Sequence, residues 1–311
     1  MQPYHWESHH GNFGDDLNLW LWDYLLPGFR DVHPETMLVG VGTVLNPVLL
    51  PRDRKKLVVG SGYGYGEVPD ITTPDWDVRC VRGPLTAAKL GLPTEKGITD
   101  PAVLISDMPE FQNLPKIHKK TFIPHWESAE FGMWPTVCEP IGLTYLDPRG
   151  EAKAVIRHIA QSELIIAESM HGAILADAFR VPWVAVSTSR AINNFKWTDW
   201  ASSVRARYEP RYVPVSTRAE AVKKRASFWG MNFDKKQPQA ATAGSTATGG
   251  SRSAPKQTGL RGMVKQALAG PSTLALWQAS RAEPHLSPDG AIEERKQMFR
   301  EVLEEIRRDY F

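Results

Sequence analysis

The sequence of 311 residues is poor in cysteine, with only Cys80 and Cys138 and no CxxC pair around either. That excludes a disulfide framework and a cysteine zinc site, and it points to a reducing, cytoplasmic compartment. It lacks an excess of either charge, since 37 Lys and Arg face 35 Asp and Glu for a formal net charge of +2. A dedicated nucleic-acid binder would need a basic excess to neutralise phosphates, so that class is set aside. It also lacks any apolar run of the roughly 18 residues needed to span a bilayer. The first residues, MQPYHWESHH, have neither the basic start nor the apolar stretch of a secretory signal.

Nucleotide-binding loops are missing too. Two glycine turns follow apolar runs, Gly40-Val-Gly42-Thr43 and Gly60 to Gly66, but the sixth position of a GxGxxG fingerprint is Leu45 in one and Tyr65 in the other. Both fail the dinucleotide motif, and no GxxxxGK[ST] occurs. The glycines imply either tight turns or close backbone approach at strand ends. What the sequence does have is 11 Trp and 9 His, a heavy load of flat and protonatable side chains.

From residue 37 to 234 short apolar runs alternate with longer amphipathic segments, the pattern of βα units around parallel sheet, and hence an α/β fold. The pattern predicts strands over Met37–Val41, Lys56–Val59, Val78–Val81, Lys120–Pro124, Ile141–Tyr145, Leu164–Ala167 and Trp183–Val186. It predicts helices over Asp15–Leu26, Pro84–Leu90, Gly150–Gln161, Met170–Phe179 and Thr217–Trp229. The stretch Met108–Lys119 breaks the alternation with two prolines and marks a boundary between an N-terminal domain, 1–112, and a second, 118–234. Residues 235–258, rich in Ala, Gly, Ser, Thr and Pro, read as a disordered linker. A C-terminal helical segment, 259–311, follows, with helical patterns over Leu260–Ala269 and Ala291–Tyr310. In the last of these Ile292, Met298, Phe299, Val302, Leu303 and Ile306 form one apolar stripe.

Three constellations carry chemistry. In the first, the apolar run Leu164–Ala167 leads straight into Glu168-Ser169-Met170-His171 and a small-residue helix. The carboxyl ends of strands form the ligand crevice of an open α/β sheet, and a helix N-terminus offers free N–H groups to an anion. Ser169 and His171 therefore hold an anion beside a proton donor, or Ser169 caps the helix and His171 makes a buried hydrogen bond. In the second, His10-Gly11-Asn12-Phe13-Gly14-Asp15-Asp16 opens a helix, where Asp15 or Asp16 serves chemistry or capping. The nearby His5, His9 and His10 have no ligand spacing in a fixed element, so no metal is assigned. In the third, Arg82 and His125 leave the ends of predicted strands, and an arginine there can pair bidentately with phosphate or carboxylate.

Taken in order, Asn12-Phe13-Gly14-Asp15, the Gly60 to Gly66 turn, Val81 to Thr86, Thr99-Asp100-Pro101-Ala102, Phe122 to His125 and the segment from Ser162 to Pro182 resemble the polysaccharide pyruvyl transferase family. The resemblance covers roughly Tyr4 to Asp234 and is nearest to the short enzymes of bacterial exopolysaccharide synthesis. It implies two Rossmann-like domains facing across a GT-B-like cleft. It also implies transfer of pyruvate as a ketal from phosphoenolpyruvate to a sugar or lipid-linked oligosaccharide, with no cofactor. The family often carries Arg-Leu-His where this chain has Ser169-Met170-His171, so His171 maps onto the pattern and the arginine does not.

On that footing His171 is the expected general acid, and Arg82, Ser169 and His125 the expected binders of phosphoenolpyruvate. Asn12, Asp15, Asp16 and Glu168 are expected on the acceptor side of the cleft, one of the three carboxylates taking a hydroxyl proton. Trp126, Trp134, Trp197 and Trp200 fall in loop-like stretches and either stack on sugar or pack. The C-terminal helices either remain in solution or meet the inner membrane face or an exopolysaccharide-assembly partner. Two rival readings remain, a glycosyltransferase using a nucleotide-sugar and a non-catalytic exopolysaccharide-assembly module.

Overall fold

Each apolar run predicted as a strand pairs in parallel with a neighbour, since a helix or long loop carries the chain back between one run and the next. The computed structural model describes residues 1–7, 9–189, 193–233 and 260–311. One sheet has the order β1 (Gln2–Pro3), β2 (Thr36–Val39), β3 (Lys55–Val59) and β4 (Trp76–Cys80). The other is built from β5 (Thr121–Ile123), β6 (Thr144–Tyr145), β7 (Ile165–Ala167), β8 (Trp183–Ser187) and β9 (Arg211–Tyr212), in the order β6-β5-β7-β8-β9. All pairings in both sheets are parallel, with Phe122 opposite Ile166 and Ala167 opposite Ala185. Strands β2, β5 and β7 are buried along their whole length, as expected where helices cover both faces.

The helices are α1 (Phe13–Asp16), α2 (Leu21–Leu25), α3 (Pro84–Lys89), α4 (Trp126–Phe131), α5 (Trp134–Cys138), α6 (Ala152–Ala160), α7 (Met170–Ala178), α8 (Asn194–Ser203), α9 (Arg218–Lys224), α10 (Leu260–Ala279) and α11 (Ala291–Tyr310). A hairpin of β10 (Ser227–Phe228) and β11 (Met231–Asn232) follows α9. Helix α7 is buried all round, which its run of small and apolar residues permits. It packs against the 3-10 segment Pro101–Asp107 from the first half of the chain. As a result one apolar cluster runs through both sheets, from Phe13, Trp22, Leu57 and Val59 to Ile174, Trp183 and Trp200.

Three sequence expectations change. The predicted helix Asp15–Leu26 is broken into α1, a 3-10 turn at Leu17–Leu19 and α2. Asn18 diverts it: the Asn18 amide donates to the Val41 carbonyl and accepts the Val41 N–H, both at 2.9 Å, while Trp22 Nε1 donates to Asn18 Oδ1. Gly40 accommodates this crossing, because a Cβ there would lie 2.0 Å from the Trp22 ring.

The helix predicted over Thr217–Trp229 stops at Lys224. Arg225 turns left-handed at φ 50°, and the chain enters the hairpin. Finally, Trp134, Trp197 and Trp200 lie on helices and are 0–1% exposed, so packing takes them and only Trp126 of the four is left at a surface.

The C-terminal helices are built into the cores. On α11, Ile292, Phe299, Leu303 and Ile306 are buried against Leu25, Phe29 and the first sheet, while Met298 and Val302 pack at the margin. Arg79 pairs with Asp309 at 2.5 Å and Lys296 with Asp107 at 2.9 Å. Helix α10 instead supplies Ala269, Leu276 and Ala279 to a cluster with Phe122, Trp134 and Val137. The residues read as a linker, 235–258, lie outside the described residues. Among those described, no helix is long and apolar enough to cross a membrane. Cys80 and Cys138 are free, buried thiols whose pKa burial pushes up to about 12.

Candidate active site

The strand order of the second sheet reverses between β5 and β7, and a crevice opens at the carboxyl ends of strands where such a reversal occurs. Here β5 delivers His125 and β7 delivers Glu168. The His125 N–H donates to Glu168 Oε2 at 2.9 Å. The other carboxylate oxygen accepts from Thr188 Oγ1 and from the Lys224 ammonium, and Lys224 also donates to Thr188 Oγ1 and Ser128 Oγ. Burial works against the Glu168 anion, but the nearby Lys224 and the hydrogen bonds from Lys224 and Thr188 outweigh it. The carboxyl is held at about 2.

His125 is driven the other way. Burial, then the charges of Lys224 and Lys196, push its pKa down to about 3 against the pull of Glu168, so the ring is neutral near pH 7. Its Nδ1 accepts the Glu127 N–H at 3.4 Å, an arrangement that assigns the ring proton to Nε2. A cleft of about 450 Å³ opens beside it, lined among others by Tyr65, His125, Trp126, Lys196, Lys223 and Arg225. Lys223 lies 3.6 Å from Glu127. Lys196 and Arg225 make no ion pair among the described residues, so the cleft is electropositive.

A second group forms where α7 meets α1. Ser169 caps α7, accepting the Gly172 N–H at 3.4 Å, and His171 stands in the first turn, 8% exposed. His171 Nε2 lies 3.7 Å from Asp100 Oδ2, and neither atom has a hydrogen-bond partner among the described residues. Its other nitrogen faces Gly14, where a Cβ would lie 2.1 Å from Nδ1. Asn12 caps α1 by accepting the Gly14 N–H and donates to Asp15 Oδ2 at 2.6 Å. Burial raises the Asp15 pKa, with His171, Asn12 and Lys196 restraining the rise. Lys196 is thus felt by both Asp15 and His125.

The expected site residues divide accordingly. Capping α1 falls to Asn12 rather than to either aspartate. Asp15 shares its surroundings with His171, whereas Asp16 turns to His5 Nε2 at 3.0 Å. Glu168 and His125 belong to the cleft, and His171 is not among its lining residues.

Arg82 lies apart from the cleft. It is 0% exposed, and its guanidinium donates to Asp199 Oδ2 at 3.3 Å, Thr43 Oγ1 at 2.7 Å and the Tyr63 carbonyl at 3.1 Å. Asp199 in turn accepts from the Thr86 N–H and hydroxyl at 2.8 and 2.6 Å. The guanidinium is thus held by three protein acceptors and is not among the residues lining the cleft.

The sequence does not single out Lys196, because the stretch that becomes α8 reads as loop. The signal was there: Asn193, a good N-cap, precedes apolar Trp197, Trp200, Ala201 and Val204 at helical spacing. Lys223, Lys224 and Arg225 read only as the cationic end of a helix. Nothing in their order says that Lys224 turns inward.

The profile of one family, described as polysaccharide pyruvyl transferase, matches residues 12–190. The whole chain is 65% identical over 316 residues to a protein named Succinoglycan biosynthesis protein ExoV from Rhizobium meliloti (strain 1021), with 100% of both chains covered. No solved structure matches. The matched span contains Asn12, Asp15, Asp100, His125, Glu168 and His171, whereas Lys196, Lys223, Lys224 and Arg225 lie beyond it.

Proposed function

The chain belongs to the polysaccharide pyruvyl transferase family and is a transferase, and from that premise we propose that it moves pyruvate from phosphoenolpyruvate onto a sugar of an exopolysaccharide or its lipid-linked precursor. The observation that carries this reading is the electropositive cleft at the β5/β7 switch point, beside a neutral histidine. Phosphoenolpyruvate brings a phosphate and a carboxylate, and Lys196, Lys223 and Arg225 are the cations that suit them. The Nε2–H of neutral His125 adds a hydrogen-bond donor without adding charge. Glu168 and Lys224 position His125, and Arg82 with Asp199 positions α8.

The chemistry begins with a proton delivered to C3 of the enol, which makes C2 electrophilic. An acceptor hydroxyl adds to C2, the bond from C2 to the phosphate oxygen breaks, and inorganic phosphate departs. A second hydroxyl of the same sugar then closes the cyclic ketal. We assign the proton donor to His171, which stands outside the cleft's lining but beside Asp15, a carboxyl that feels the charge of Lys196 on the cleft wall. Of the three carboxylates, Asp15 suits the hydroxyl proton best, because Glu168 is committed to Lys224 and Thr188, and Asp16 to His5. We read residues 1–112 and 118–234 as two Rossmann-like domains in a GT-B-like arrangement. A lipid-linked acceptor at the inner membrane face fits the shallow apolar groove at Pro140, Ile141, Leu274 and Trp277, where Leu274 is 56% exposed.

The test is to incubate the protein with phosphoenolpyruvate and depyruvylated succinoglycan oligosaccharide. Phosphate release with a matching ketal mass gain is expected. A folded protein that gives neither, while a nucleotide-sugar raises its Tm, would favour glycosyl transfer instead.

A further inference from the structure

Helix α10 carries two apolar stripes, and only one of them has a core to enter. Ala269, Leu276 and Ala279 are buried with Phe122 and Trp134, and Ser272 donates to the Val215 carbonyl at 3.1 Å. The other stripe, Gly270, Leu274 and Trp277, has the i, i+4, i+7 spacing of a single helix face. With Thr273 it lines a shallow depression of about 490 Å³, whose opposite wall is Thr136, Pro140 and Ile141. Leu274 is 56% exposed there, and a Cβ at Gly270 would meet nothing within 4 Å. Among the described residues that line this depression, none is charged.

Charge gathers at the rim instead. Arg281, just past the helix end, lays its guanidinium 4.0 Å from the centre of the Trp277 ring. It pairs with no carboxylate among the described residues. Lys120 brings a second cation to the same end, its ammonium donating to the Ser280 carbonyl at 2.7 Å. The surrounding sequence is one-sided: residues 235–282 contain seven Lys and Arg and no Asp or Glu, in a chain whose formal net charge is only +2. An apolar stripe with a tryptophan, edged by arginine and lysine, suits a helix lying in a membrane interface. There the rings and aliphatic side chains sit among the headgroups, and the cations meet anionic lipid.

We infer that this face of α10 docks on an anionic lipid bilayer. Ile141, Leu274 and Trp277 enter the boundary between headgroups and acyl chains, while Arg281 and Lys120 meet lipid phosphates. A second copy of the chain fits less well, because a symmetric contact through this face would set the same basic residues against each other. The inference stands apart from the pyruvyl-transfer reading, since it concerns where the protein sits and not which reaction the cleft performs.

The experiment attaches an environment-sensitive fluorophore to a Leu274→Cys variant, in which the two native thiols, Cys80 and Cys138, are buried. Vesicles of about three parts phosphatidylcholine to one part phosphatidylglycerol should shift its emission to shorter wavelength, and phosphatidylcholine alone should not. The same label on Val48→Cys, at a position 85% exposed, should report water with both. Cosedimentation with the mixed vesicles should weaken about tenfold or more in the double variant Leu274→Glu with Arg281→Glu, and should fall with added salt. These vesicles hold no lipid-linked saccharide, so binding belongs to the bilayer and not to the acceptor. No emission shift from the label at position 274 would overturn the proposal, as would unchanged vesicle binding in the folded double variant. So would a shift without vesicles that follows protein concentration, which would assign the face to a second copy. The label decides the matter even if the double variant does not fold. A wild type that binds the vesicles yet makes no ketal would keep the docking face and remove only the pyruvyl-transfer reading.

Discussion

Arg82 and Asp199 form a fully buried ion pair, Nε to Oδ2 at 3.3 Å, between residues 117 positions apart in the chain. It ties the end of β4 to α8 and, through Thr43, Tyr63 and Thr86, fixes the helix that carries Lys196. Removing one partner of a buried pair leaves the other charge unpaired in a dry site, which costs about 3–5 kcal/mol. We therefore expect Asp199→Ala to lose about that much stability in urea unfolding. A loss below about 1 kcal/mol would show the pair to be dispensable.

His171 tests the proton donor. His171→Ala should lower kcat by about a hundredfold or more, the usual weight of a positioned acid, with Tm nearly unchanged. Asp100→Asn should give a smaller loss in the same direction, because it removes a negative charge 3.7 Å from the ring and no reacting group. Wild-type turnover in His171→Ala would remove the residue from the mechanism.

Gly14 offers a subtler probe of the same ring. The added Cβ of Gly14→Ala would sit 2.1 Å from His171 Nδ1, so the imidazole must move away from α1. Activity should fall well before stability does, seen as a lower kcat at nearly constant midpoint of denaturation. Equal losses of both would mean that the contact is structural only.

Lys196 should govern donor affinity. Replacing it with Met keeps the apolar stem and removes the charge, so KM for phosphoenolpyruvate should rise about tenfold while acceptor KM holds. The His125 ring should also become easier to protonate, because Lys196 is one of the charges that holds its pKa down. An unchanged donor KM would move the anion site elsewhere.

Acid stability follows from His125 and Glu168. His125 has a folded pKa of about 3 against an ordinary 6.5, so the unfolded chain binds the proton first, and stability falls as pH drops from 6.5 toward 3. Glu168, at about 2 against 4.5, contributes stability that is present above 4.5 and lost as pH falls toward 2. The two windows overlap, and His125→Gln should flatten only the upper one. With 31% of the His125 side chain open to the cleft, solvent moderates the slope. Denaturant midpoints between pH 7 and 4 check it, and an unchanged slope in the variant would refute the assignment.

The sequence by itself determined the strands, because buried parallel strands read as apolar runs with turn residues at their ends: Phe122, Ile166 and Val184 lie where the pattern puts them. It determined the capped start of α7 at Ser169 and the single docking stripe of α11, since both depend on local spacing. It also singled out His171, Asp15, His125 and Glu168, through their place at strand ends and helix starts.

Which of these share a space, and in what protonation state, only the tertiary structure decided. Glu168 became a fixed anion because Lys224, 56 residues away, turns inward to meet it. Arg82 became a buried tie because Asp199 lies within reach. The cleft's charge comes from Lys196 and Arg225, on elements that fold back to the switch point. Charge and burial act through space over a few ångströms, and those separations are set by how the sheets and helices pack, which residue order along the chain does not encode locally.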